Sequence, residues 1–101
     1  KTVFSMAPAR QRWVHLAFDQ QLLGAMLDRF GADVPLDALD EHTLALFAPV
    51  RVSPPFFGWV FQFGGRVRIL APDDVREEML LMLAACRQSG GEQSGMQTKR
   101  E

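Results

Sequence analysis

Ser53 to Arg87 reads SPPFFGWVFQFGGRVRILAPDDVREEMLLMLAACR, and its punctuation leaves few ways to fold. Ser53 is a helix cap, and the proline after it stands at the first helical position, where a missing N–H costs nothing. Phe56, Trp59, Val60 and Phe63 recur at helical spacing and share one face. Gly64-Gly65 ends that helix, because glycine takes up the left-handed cap conformation cheaply. Arg66-Val67-Arg68-Ile69-Leu70 alternates basic and apolar residues, the period of a strand with one buried face. Ala71-Pro72-Asp73-Asp74 opens another helix with carboxylates near its positive end. Val75, Met79, Met82, Leu83 and Cys86 form its apolar stripe, and Cys86 reads as a small core residue.

The upstream elements follow by the same rules. Arg10–Phe18 is a strand, with Val14, Leu16 and Phe18 on one side and Trp13, His15 and Ala17 on the other. Asp19 caps a helix whose Leu22, Leu23, Met26, Leu27 and Phe30 repeat at helical spacing and which Gly31 terminates. Asp33–Leu39 fits either a short edge strand or a loop, and Pro35 suits an edge. Asp40-Glu41-His42-Thr43 is a polar turn. Thr43–Val52 is a strand with Leu44, Leu46, Val50 and Val52 on one face, although Pro49 asks for an edge or a bulge.

The resulting order is strand, helix, weak strand, strand, helix, strand, helix. Its first six elements predict an α+β fold, a ferredoxin-like βαββαβ sandwich, with an additional C-terminal helix. That helix is free to cover the open sheet face, cover an edge or meet a partner. Residues 1–9 read as a linker remnant, 10–87 as the domain, and 88–101, which is polar and glycine-rich, as a disordered tail.

A chain of 101 residues is one domain at most. A formal charge of −1 gives no global attraction to nucleic acid or an acidic membrane, so any such affinity must be local. The single cysteine excludes an intrachain disulfide. No apolar run approaches the ~18 residues of a membrane-spanning helix, and no leader layout is present. A soluble, cytoplasmic protein is expected. Because it begins with Lys1, the chain is expected to be cut from a longer one.

FFGWVFQFGGRVRILAPDDVREEMLLML resembles the C-terminal extension, or WCX domain, of WYL-domain bacterial transcriptional regulators. There an aromatic- or leucine-rich helix reaches a glycine, then a strand of the type V-x-I/V-L-x-P, then a helix opening near a V/L-R pair. Here these are Gly64, Val67 to Pro72, and Val75-Arg76. WVHLAFDQQLLGAMLDRFG is similar to the family's first strand and helix, so the resemblance spans about Arg10 to Arg87. The glycine of the family's frequent hairpin is missing from Leu39–Thr43, and the chain contains no tyrosine. The resemblance implies a C-terminal regulatory module whose winged-helix and WYL domains lie upstream. It implies a homodimer, transcription regulation, and a nucleic-acid effector in the full-length protein, with no cofactor.

Catalysis finds little support in the residues. Asp73, Asp74, Glu77 and Glu78 could suggest a metal or an acid–base pair, but they stand where a helix dipole favours negative charge. Asp37, Asp40, Glu41 and His42 match no dedicated metal loop. Gly64-Gly65 follows a helix, whereas a phosphate cradle precedes one. A binding protein, not an enzyme, is expected, with no metal site.

The open sheet face is the better candidate. In the expected topology the first and last strands are neighbours, so Trp13, His15, Arg66 and Arg68 share one surface, with Phe47 and Arg51 in phase on the strand beyond. Aromatics mixed with arginines on a sheet can stack bases and hold phosphates. The expected ligand or nucleic-acid residues are Arg51, Arg66, Arg68, Trp13 and His15. The competing expectation is that the last helix or another domain covers Trp13 and Phe47. On that expectation the domain senses a small molecule or only oligomerises.

Overall fold

Strand β1 (Arg10–Asp19) alternates so that Val14, Leu16 and Phe18 are buried on one side, and the rest of the molecule is arranged around it. The computed structural model describes the backbone of residues 7–99 and the side chains of residues 7–87. Most of the stretch read as a linker remnant lies outside the described residues. The fold is mixed α+β, a four-stranded antiparallel sheet with three α-helices, one of them C-terminal.

Asp19 ends β1 and accepts a hydrogen bond from the Gln21 N–H, which starts a 3₁₀ turn (Gln20–Leu22) leading into α1 (Leu23–Phe30). Gly31, with φ +98°, ends α1 as its position in the sequence predicts. The ambiguous stretch resolves as a short strand, β2 (Leu36–Ala38). Across the turn to β3 (Thr43–Val52), the Asp40 carboxylate accepts the His42 N–H, which holds its pKa below the usual carboxylate value. Helix α2 (Pro54–Phe61) is capped by the Ser53 side chain, which accepts the Phe56 N–H. It stops before the glycines. Gly64, with φ +63°, begins a second 3₁₀ turn (Gly64–Arg66), and only then does β4 (Val67–Ala71) start.

The strand order is β2-β3-β1-β4, so the first and last strands are neighbours as expected. Register places Val14 opposite Ala48, Leu16 opposite Leu46 and Phe18 opposite Leu44. This face, with Met26, Phe56, Phe57, Val60, Val67, Ile69 and Val75, makes the core. Phe57 is fully buried although it falls outside the stripe read from the sequence. Pro49 is tolerated in β3 because β2 reaches only as far as Leu46. Among the described residues, the outer edge of β3 has no partner strand beyond that point to receive a donor.

Helix α3 (Asp73–Lys99) begins where expected and continues past Arg87. Where a disordered tail was expected from residue 88, the backbone is helical over 88–99, and residues 100 and 101 lie outside the described residues. α3 lies on the helix side of the sheet. Val75 is fully buried among the core residues there. Arg10 and Arg12, in phase with Val14, reach Glu78 and Asp74 at 2.9 and 2.8 Å. The opposite sheet face is thus left open along β1 and β3, with Trp13 57% and Phe47 46% exposed. Cys86 is exposed, which corrects its reading as a core residue; Glu78 occupies the buried face instead.

Candidate functional site

Trp13, His15 and Phe47 form one aromatic patch on the open face. The Trp13 and Phe47 rings are stacked with centroids 5.0 Å apart, and His15 meets Phe47 edge-on at 6.0 Å. Cross-strand register causes this, because Phe47 stands opposite His15 and Trp13 stands two pairs further along, on the same face. Beside the patch the small pair Ala17–Ala45 is buried, ringed by larger residues that include Arg68 and Asp37 across the strands. The face thus offers flat aromatic surface with a low floor next to it.

Two of the three predicted arginines share this face. Arg51 stands opposite Gln11 and Arg68 opposite Ala17. Both are exposed, and neither has an ion-pair partner among the described residues. They lie at opposite ends, since six positions of β1 separate Gln11 from Ala17, about 20 Å at ~3.3 Å per residue. An extended chain, not a single small anion, could touch both.

Arg66 departs from the prediction. It belongs to the 3₁₀ turn before β4, not to the strand, so strand alternation does not set its direction. Its guanidinium lies 3.6 Å from Asp19 and donates to Gln21 at 3.2 Å. Arg66 is committed to tying β4's entry to β1's exit. It still lines, with Arg68, His42 and Thr43, a shallow cleft of about 230 Å³ at that end of the sheet.

The acidic group on α3 is used by arginines. Asp74 takes a two-pronged contact from Arg12, Asp73 pairs with Arg76, and Glu78 with Arg10. The Arg12 hydrogen bonds hold the Asp74 carboxyl below its usual pKa and raise that of Arg12 in return. Among the described residues, no three His, Cys, Asp or Glu side chains gather as metal ligands.

A second aromatic group was read in the sequence only as the apolar stripes of two helices. Trp59 packs edge-on against Phe30 and Phe63, and the Arg29 guanidinium lies 4.6 Å from its ring centroid. The signal available was Arg29 at the end of α1 beside the aromatic stripe of α2, but only the packing of two helices brings them together.

The family model of the WCX domain matches residues 10–86, from the start of β1 into α3. The chain belongs to the WCX domain family. No match was found among curated proteins. Every element of the sheet, the aromatic patch and the Arg10 and Arg12 contacts lies inside the matched WCX region. None of its described helices is long and apolar enough to cross a membrane.

Proposed function

We propose that this WCX domain is the C-terminal regulatory module of a WYL-type bacterial transcriptional regulator, acting in the cytoplasm. In this reading its open sheet face helps hold a single-stranded nucleic-acid effector. The strand order and the all-antiparallel pairing support the ferredoxin-like plan for the domain. The observation that carries the proposal is the exposed Trp13–Phe47 stack set between Arg51 and Arg68, both without ion-pair partners among the described residues. Stacking accepts any base, and arginine supplies charge-assisted contacts to phosphate. The test is titration of short single-stranded oligonucleotides, wild type against Trp13→Ala and Arg68→Ala. Affinity should fall with each variant, and the salt slope should fall with the arginine. Unchanged affinity and slope in both variants would refute the assignment.

A second reading, homodimerisation with no nucleic-acid contact, is favoured by α3. Met79 to Cys86 is apolar throughout, and an amphipathic surface helix should be apolar on one face only. Leu80 and Leu81 are each 54% exposed on the side away from the core. A second copy is the occupant that dimerisation would supply. The two readings use different faces, and the oligonucleotide titration separates them.

A further inference from the structure

At the end of the sheet opposite Arg68, the close of α1, the close of β3 and the start of α2 enclose a cleft of about 340 Å³. That is near the lower end of small-ligand sites, roughly 300–1,000 Å³. Its cations are Arg29 and Arg51, and no aspartate or glutamate lines it. Neither arginine has an ion-pair partner among the described residues. Phe30 and Phe56 give it apolar walls, and the Gln11 amide stands at its edge.

Arg29 is held in place before any ligand arrives. Its guanidinium sits over Trp59 at 4.6 Å from the centroid and over Phe30 at 6.0 Å. Stacking engages the face of the guanidinium and leaves its N–H edge for an acceptor. Trp59 is itself fixed by Phe30, Phe56 and Phe63. Less rotamer freedom is therefore lost on binding than for a free arginine.

We infer that this cleft is a phosphoryl-binding site in which Arg29 and Arg51 clamp the phosphate and Phe30 and Pro55 accept the flat or apolar body it carries. Charge decides for phosphate over carboxylate. Two uncompensated guanidiniums match a phosphomonoester, which carries about −1.5 to −2 at neutral pH on three acceptor oxygens. A carboxylate would leave one cation unmatched. Because Arg51 also belongs to the open face, the inference deepens the proposed nucleic-acid reading and rests on it for the source of the phosphate. The charge match assigns that source to a terminal phosphomonoester, because an internal phosphodiester carries a single charge, as a carboxylate does.

The experiment is a titration of the isotope-labelled chain followed by NMR at the Arg29 and Arg51 side-chain N–H groups and the Trp59 indole N–H. The probes are inorganic phosphate, adenosine monophosphate, and a short oligothymidylate with and without a 5′-phosphate. All three resonances should move with the monophosphate. Arg51→Glu should weaken that binding by about tenfold or more, the loss of roughly one charge-assisted contact. Arg29→Gln removes the guanidinium that sits over Trp59 and should weaken it as well. If only the 5′-phosphorylated strand moves the three resonances, the source is the chain end. If both strands move them equally, the monoanionic internal phosphodiester suffices and the assignment to a terminal phosphomonoester is overturned. Silence at all three groups with every probe overturns the site, as does movement that Arg51→Glu leaves unchanged. Response of Trp13 and Arg68 to oligonucleotide with Arg29 silent would remove this cleft and leave the sheet-face reading standing. Response of the cleft to monophosphate with Trp13 silent to every strand would do the reverse.

Discussion

Trp13 and Phe47 stack at 5.0 Å although neither stands opposite the other: Trp13 faces Pro49, and Phe47 faces His15. A proline ring is too short to cover an indole, so Trp13 leans diagonally onto the next aromatic in phase. Diagonal neighbours on a sheet are within reach of side chains this large. The stack is exposed, so its stability value is that of an aromatic pair, about 0.5–1.5 kcal/mol. Phe47→Ala should therefore destabilise the domain by about 1 kcal/mol in urea unfolding. Loss of a base-stacking platform costs about 1–3 kcal/mol per base. Oligonucleotide binding should thus suffer more than folding does. Equal losses in both measurements would reduce the stack to a structural contact.

The apolar turn of α3 makes a separate prediction. Leu80 and Leu81 point away from the core, so replacing them should barely alter folding, within about 0.5 kcal/mol. Leu80→Glu with Leu81→Glu should instead abolish self-association by placing charge in an apolar contact. Sedimentation velocity across micromolar concentrations should show a dimer for the wild type and a monomer for the variant. A wild type that stays monomeric throughout would leave α3 free for another partner and end the homodimer reading.

Acid should loosen the hold of α3 at Asp74. The Arg12 side chain lowers the carboxyl's pKa in the folded protein, so the unfolded chain binds a proton more readily there. Stability from this pair is fully present above the ordinary aspartate pKa, about 3.9. It is lost as pH falls through the lower folded value, because stability rises with pH wherever the unfolded state holds more protons. Asp74→Asn should flatten that part of the profile of melting temperature against pH and leave the midpoint near neutrality only slightly changed. A profile identical to wild type at acid pH would show that the pair contributes nothing to docking.

Much of this arrangement was legible in the chain. Period-2 alternation gave β1 and β3 with their inward residues, and the caps at Asp19, Ser53 and Gly31 set the helix ends. Arg66 was misplaced because R-V-R-I-L alternates from its first letter, whereas Gly64 at φ +63° spends the next residues in a 3₁₀ turn. A turn residue has no strand parity. Glu78 stands three after Val75 and four before Met82, squarely on the buried face, but its charge hid that position from a reading by hydrophobicity. Arg10 and Arg12 share the phase of Val14 for the same reason: their partners come from α3, far along the chain. The cleft of Arg29 and Arg51 depends on helix packing, to which no local period refers.

The Arg10–Glu78 pair is the sharpest test of how α3 is held. Glu78 is 9% exposed; its Oε1 accepts from Arg10 at 2.9 Å, and its Oε2 is buried without a hydrogen-bond partner. When Arg10 goes, this carboxylate loses its one ion-pair contact and keeps only the more distant field of Arg12. Because Arg10 is partly exposed, Arg10→Ala should destabilise the domain by about 1–3 kcal/mol, the effect of leaving a buried polar group unpaired. The pair itself need not stabilise, because desolvating both charges offsets much of their attraction. Replacing both together, Arg10→Met with Glu78→Met, fills similar volume and removes the orphaned oxygen. That double variant should be neutral or more stable by about 1–4 kcal/mol. Urea unfolding of the single and double variants gives the coupling directly. A double variant as unstable as Arg10→Ala would mean that the ion pair itself contributes net stability to α3 docking.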